Sequence, residues 1–360
     1  MGRFWFRISS SSSLSLLFLL AQIFRAVSLQ RNQSRVPAVI AFGDSIVDPG
    51  NNNGLKTIIK CNFPPYGRDF VPHIPTGRFS NGKIPTDLLA SSLGIKELLP
   101  AYLDPTLTTE DLLTGVSFGS GGTGYDPLTP QIVSAISIED QVKLFREYIS
   151  KLEGIAGADQ AVRIVSDSIY LVILGSDDLA NTYFTTPFRK AHYDIPTYTD
   201  FMVQKASIFY QELYELGARK VAIVGVPPVG CVPSLRTLGG GLLRQCQETY
   251  NQAARLFNAK LSMEIDKLSA TLLGSRMVYV DIYKTLLNLV LHPSSYGFKV
   301  SNKGCCGTGT IEVTLLCNEL SPQTCTDVAD YVFWDSYHPT EKAYKIIIDA
   351  VVQEYLPRLL

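Results

Sequence analysis

The chain has 360 residues, 46% of them hydrophobic and 18% charged, which is enough apolar material for one large core or two small ones. Its formal net charge is −1 and it carries no Lys/Arg tract, so the electrostatics argue against nucleic acid as a partner.

The first residues have the pattern of an export signal. Arg3 and Arg7 precede a serine-rich stretch, and an apolar run follows over residues 14–24, too short to span a bilayer. Ala26-Val27-Ser28 supplies small residues for cleavage. The expectation is a signal peptide over residues 1–28, no transmembrane segment, and a mature chain of residues 29–360 that is secreted. Loss of Arg3, Arg7 and Arg25, with no acid among the first 28 residues, takes the net charge from −1 to −4. Asn32-Gln33-Ser34 is a glycosylation sequon close to the new N-terminus.

Residues 36–42, Val-Pro-Ala-Val-Ile-Ala-Phe, predict a short strand buried on both faces. The run stops at Gly43, where Asp44 and Asp48 flank Ser45 and Asn51, Asn52 and Asn53 follow. A polar turn at the carboxyl end of a buried strand is where open α/β sheets place their chemistry, although a serine capping a helix explains the local pattern equally well. Residues 61–81 are rich in Pro, Gly and aromatics and predict an ordered loop. Ile84, Leu88, Leu89 and Leu93 predict a helix stopped by Gly94, and residues 138–152 predict another with Glu139 and Asp140 in its first turn. Residues 112–125 are glycine-dense. Further strands are predicted at 169–174, 220–224 and 277–280, alternating with helices at 199–217, 243–272 and 340–355. That alternation implies a parallel sheet covered by helices on both faces, in one domain.

Among the four histidines, His338 stands out because Asp335 lies three residues before it, ahead of the last helix. A serine nucleophile needs a base, and the base needs a carboxylate to orient it. A helix-entry turn accounts for the pair equally well. His73, His192 and His292 read as surface residues.

Three motif matches fail on context. Gly115-Val116-Ser117-Phe118-Gly119 fits a nucleophile elbow, but more glycines follow where a helix is required. Gly119 to Gly124 fits a dinucleotide fingerprint, yet Asp126-Pro127 follows in place of the helix. Residues 77–84 nearly match a phosphate loop but end in Ile84 instead of Ser or Thr. The glycines at 119–124 read instead as a loop with uncovered N–H groups, either an oxyanion donor or simply mobile. Gly175-Ser176-Asp177-Asp178 is a further polar turn at a strand end. Cys305, Cys306, Cys317 and Cys325 crowd one window, which predicts a disulfide-tied loop with different partners for the two adjacent cysteines. With seven cysteines, one is left over. Zinc is the weaker reading, since neither a neighbouring C-x-x-C nor a suitably spaced His accompanies them.

Taken together, residues 37–355 resemble the plant GDSL esterase/lipase family of the SGNH hydrolase superfamily, in its extracellular-lipase-like branch. The resemblance rests on five ordered segments: residues 42–52 around Asp44-Ser45, Thr76-Gly77-Arg78-Phe79-Ser80-Asn81-Gly82, residues 115–122, Pro228-Val229-Gly230-Cys231-Val232-Pro233, and Asp335-Ser336-Tyr337-His338-Pro339. It implies a flavodoxin-like α/β/α sandwich with about five parallel strands, and a hydrolase of carboxylic esters that uses no cofactor and no metal. By the same resemblance Ser45 is the nucleophile, His338 the base and Asp335 its orienting acid, with the N–H groups of Ser45 and Gly122 in the oxyanion hole. Ile46 replaces the Leu of the family motif, a near-isosteric change. Asp177 stands where the family has an oxyanion-hole Asn, and an ionised carboxylate can only accept hydrogen bonds. The expected protein is a secreted enzyme of the cell wall or apoplast acting on lipid esters or on acylated wall or secondary-metabolite esters. An extracellular acyltransferase using the same residues, or a catalytically silent coat or wall protein, are the alternatives.

Overall fold

The computed structural model describes residues 36–307, 317, 318, 320 and 323–360. The expected signal peptide and the sequon at Asn32 lie outside the described residues. Strands β1 (Val39–Gly43), β2 (Ile169–Ile173), β3 (Lys220–Val224) and β4 (Arg276–Val280) form a parallel sheet in that order. Every residue of β1 and β2 is buried, which is why their sequences are unbroken apolar runs. The pairing is in strict register, with Val39 opposite Ile169 and Gly43 opposite Ile173. β2, β3 and β4 lie within about a residue of their predicted positions, whereas β1 begins three residues later than predicted, at Val39.

The glycine-dense segment corrects the sequence reading. Residues 116–118 run parallel to β1 as a ribbon: the Ala41 N–H donates to the Val116 carbonyl at 3.1 Å and the Phe118 N–H to the Ala41 carbonyl at 2.8 Å, while Ser117 pairs on its other side with Pro100 and Tyr102. With this ribbon counted, the spatial order is ribbon, β1, β2, β3, β4, and because the ribbon comes second along the chain this is the flavodoxin-type 2-1-3-4-5 arrangement. Its glycines disguised it, since they carry no β propensity.

Helices cover both faces. Ile138–Ala156, Ile195–Glu215 and Glu248–Thr271 pack together on one, and Pro85–Ser92 and Glu341–Leu359 on the other. Several boundaries differ from expectation for local reasons. Asp194 caps Ile195–Glu215 through the Thr197 N–H, so this helix begins four residues early. Glu248–Thr271 begins five residues late, because the Cys231–Cys246 disulfide holds the chain just ahead of it. Ala158–Asp167, Tyr283–Leu291 and the π-helical stretch Asp178–Thr185 are elements that periodicity did not reveal.

A separate pair of strands, β5 (Val300–Gly304) and β6 (Tyr331–Phe333), delivers the chain to Asp335. Disulfides Cys305–Cys325 and Cys306–Cys317 tie this region, so adjacent cysteines do take different partners and the thiols are not available to zinc. Cys61 is the remaining thiol, and it is buried. The Cys306 N–H donates to the Trp334 carbonyl at 2.6 Å, so the disulfide window is bonded directly to the residue before Asp335. Cys305→Ser/Cys325→Ser should therefore lose on the order of 2–4 kcal/mol of stability and lose activity with it. Thermal unfolding and ester turnover measured on the same preparation check this, and unchanged values for both would contradict it.

Candidate active site

Ser45 sits two residues past the end of β1, at the start of a short 3-10 turn, Ser45–Val47. The turn is built by Asp44, whose side chain accepts the Ile46 N–H at 3.0 Å. Gly43, at φ 147°, is required here because a Cβ would collide with the Ile173 carbonyl oxygen of the neighbouring strand. Gln141, from the helix beneath, closes the strand end by bonding both the N–H and the carbonyl of Gly43 at 3.0 and 2.8 Å.

His338 approaches from the other end of the chain. Its Nε2 lies 2.7 Å from Ser45 Oγ, and its Nδ1 lies 2.9 and 3.0 Å from the two carboxylate oxygens of Asp335. Asp335 also accepts the backbone N–H groups of Tyr337 and His338 at 2.8 and 2.7 Å. Burial by itself would raise this carboxyl, but His338 and these backbone donors outweigh it and hold Asp335 below the ordinary carboxylate range. A carboxylate on Nδ1 leaves Nε2 unprotonated and able to accept from the serine hydroxyl, the arrangement by which a base frees an alkoxide. Phe79 packs on the imidazole with ring centroids 5.0 Å apart.

The remaining predicted residues separate into those near this dyad and those elsewhere. Gly122, at φ 90°, and half-buried Asp177 line the same cavity as Ser45 and His338. The Asp177 carboxyl accepts the Asn181 side-chain amide at 2.5 Å and the Gly122 N–H. Burial pushes it up to about 6 against the opposing pull of His338 and of those donors. Asp178 faces away, accepting from the Tyr125 and Asp126 N–H groups at 2.8 and 3.0 Å and from Thr129 Oγ1 at 2.6 Å, and burial raises it to about 7. It anchors the glycine loop and stands apart from the serine. Ser117 is fully buried and donates to the Val47 carbonyl, and His73, His192 and His292 are exposed.

Three residues matter in ways the sequence did not disclose. Asp48 accepts the N–H groups of Gly50, Asn51 and Gly121 at 2.8, 2.7 and 2.9 Å, and so joins the serine turn to the glycine loop. Asn51 donates to the carbonyls of Ser117 and Gly119, and Asn52 to that of Gly121. The glycine loop is thus clamped, which decides against the mobile-loop alternative. The only sequence signal was the unusual Asn run itself. The cavity over this floor has a volume of about 550 Å³ and is walled largely by apolar side chains, among them Ile58, Ile59, Phe79, Val133 and Leu286.

Residues 39–351 match the GDSL-like Lipase/Acylhydrolase family. The chain belongs to the plant GDSL esterase/lipase family. It is 54% identical over 343 residues to the GDSL esterase/lipase EXL3 of Arabidopsis thaliana, covering 95% of this chain and 93% of that one. A second Arabidopsis GDSL esterase/lipase is 51% identical over 325 residues, covering 90% and 87%. A solved structure of a catalytic mutant of an acetylxylan esterase from Geobacillus stearothermophilus is similar at 11% identity and a TM-score of 0.40, over 88% of this chain and 93% of that one. As a member of that family the protein is a carboxylic ester hydrolase of the GDSL type.

The buried acids of this GDSL hydrolase set its pH-dependent stability. Burial raises Asp44, Asp48, Asp177 and Asp178 above the ordinary carboxylate range, so each contributes stability that is complete when protonated in both states and is lost as pH rises through its folded value, about 6 for Asp48 and Asp177 and about 7 for Asp178. Lowered Asp335 acts in the opposite sense, its contribution being lost on strong acidification. Tm should therefore be highest near pH 4 and fall between about pH 4 and about pH 7, the interval between the ordinary carboxylate value and the raised values of these acids. A Tm that climbs over that interval in differential scanning fluorimetry would contradict the assignment.

Proposed function

We propose that the protein is a secreted serine esterase that works through an acyl-Ser45 intermediate. The carrying observation is the 2.7 Å contact between Ser45 Oγ and His338 Nε2, with Nδ1 of the same ring held on Asp335. In the reaction, His338 takes the hydroxyl proton as Ser45 Oγ attacks the ester carbonyl, and it returns that proton to the departing alcohol. Water then repeats the sequence on the acyl-serine, leaving a carboxylic acid and free Ser45. The N–H groups of Ser45 and Gly122 are the oxyanion donors.

Asp177 occupies the third oxyanion position. As a neutral acid it donates a hydrogen bond; as an anion it repels the developing oxyanion and holds the Gly122 N–H for itself. Its elevation to about 6 supports the neutral form in acidic surroundings. Export is supported by the signal-like residues 1–28 and by three disulfides. Extracellular plant fluid is a setting of the right acidity for such a site. The curated relatives named above are esterases or lipases, which supports an ester or lipid substrate.

Ser45→Ala should lower kcat by on the order of 10⁴-fold or more, and Ser45→Ala/His338→Ala should be no worse than either single change, because the residues act as one unit. Hydrolysis of p-nitrophenyl esters from acetate to palmitate by the purified mature chain tests both, and retained activity in Ser45→Ala would refute the reading. Asp177→Asn should keep or raise kcat and abolish the fall of activity as pH rises through about 6, since an amide donates at any pH. A large loss at every pH, with the fold intact, would instead show that the carboxylate itself is needed.

A further inference from the structure

Asp335 has a neighbour that none of the recognised motifs contains. The hydroxyl of Tyr66 donates to Asp335 Oδ2 at 2.8 Å across 269 residues of sequence, and both side chains are buried. Oδ1 already accepts the two backbone N–H groups of the turn, whereas Oδ2 shares His338 Nδ1 and receives the phenol. The Tyr66 ring is seated edge-on against Phe63 at 5.5 Å and Trp334 at 6.2 Å, and it contacts Phe79, which packs on the imidazole. One aromatic cluster therefore braces both the residue before Asp335 and the ring of His338. Cys61 is buried in the same cluster as Tyr66. Burial and the adjoining Asp335 hold the phenol well above its ordinary range, so Tyr66 stays a donor throughout the working pH range.

We infer that Tyr66 is a positioning residue for the ester hydrolysis: its hydroxyl fixes Asp335 Oδ2 and withdraws charge from it, and thereby sets how strongly the carboxylate holds the protonated His338. This rests on the roles proposed for Ser45, His338 and Asp335. Without the phenol, Oδ2 is left to the imidazolium alone and holds it more tightly, so a higher pH is needed to free the base. The carboxylate also loses one of the contacts that fix its rotation, which costs alignment in the transition state. The other ionisable groups facing this assembly are Cys61 and Tyr344 beside Asp335, Asp44 beside Tyr344, Asp48 beside Cys61, and Asp177 beside His338. All are retained in the variants below, so a change in the profile is attributable to the phenol.

Tyr66→Phe keeps the ring and removes only the hydroxyl. It should lower kcat by about tenfold with KM within about twofold, and move the acid limb of kcat/KM upward by about half a pH unit, the scale expected for one hydrogen bond to a charged group. Replacing Tyr66 by 3-fluorotyrosine, whose hydroxyl is a stronger donor in nearly the same volume, should move the acid limb in the opposite direction. The 3-fluorotyrosine profile decides alone if Tyr66→Phe does not fold. Acid limbs unmoved in both proteins, or a loss in Tyr66→Phe that is equal at every pH, would reduce Tyr66 to packing and overturn the inference. Ser45→Ala in the same assay separates the two failures: if it is inactive while the Tyr66 variants behave as wild type, the serine reading stands and only the Tyr66 inference falls.

Discussion

The parallel register of β1 and β2 is the constraint from which the site follows. Gly43 pairs with Ile173, and the Asp44 N–H donates to the Ile173 carbonyl at 3.1 Å, so the two strands leave the sheet at one level. Ser45 and Asp177 are then neighbours although 132 positions separate them in the chain. The ribbon on the far side of β1 brings the glycine loop to the same level, with the Ser120 N–H donating to the Gly43 carbonyl at 2.9 Å. In a sheet with this strand order, the crevice where the winding direction reverses lies between β1 and β2 and is open to a ligand.

Within that crevice the surroundings of each carboxyl, and not its residue type, decide its charge. Asp335 is buried and still ionised because an imidazole, two backbone N–H groups and a phenol converge on it. Asp44 is buried with fewer donors and a like charge at Asp177, so it is held well above the ordinary range. Asp48 and Asp178 receive several donors each yet remain raised, because burial costs the anion more than those bonds return. Pairs of acids driven apart in this way separate a permanently charged group from groups that can carry a proton into the reaction.

The loops above the sheet are rigid for a reason that is chemical more than hydrophobic. Backbone groups in irregular segments must find partners when buried, and here Asp48, Asn51, Asn52 and Asp178 supply them. The disulfides do the same for the segment that carries Asp335 and His338, which has only the short strands β5 and β6 to hold it. A site assembled from four distant loops keeps sub-ångström geometry only if each loop is fixed in this manner.

The sequence by itself determined the layered α/β class, the buried strands and most of the long helices, and it marked Ser45, Asp335 and His338 as candidates, because each of these leaves a local trace in apolar runs, in punctuation by glycine and proline, or in a motif shared with the family. It also placed the crowded cysteines in disulfides and left one thiol over. Only the tertiary structure decided that the glycine-dense stretch is a fifth strand position, since that ribbon is held by hydrogen bonds to β1 and not by its own side chains. Only it decided that Asp177 takes the Gly122 N–H while Asp178 turns away, two adjacent residues of one type whose roles depend on which face of the chain each presents. The partnership of Tyr66 with Asp335 is of the same kind: a contact across 269 residues has no spacing to read, and it exists because folding brings two loops together around a carboxylate that has a lone pair to fill.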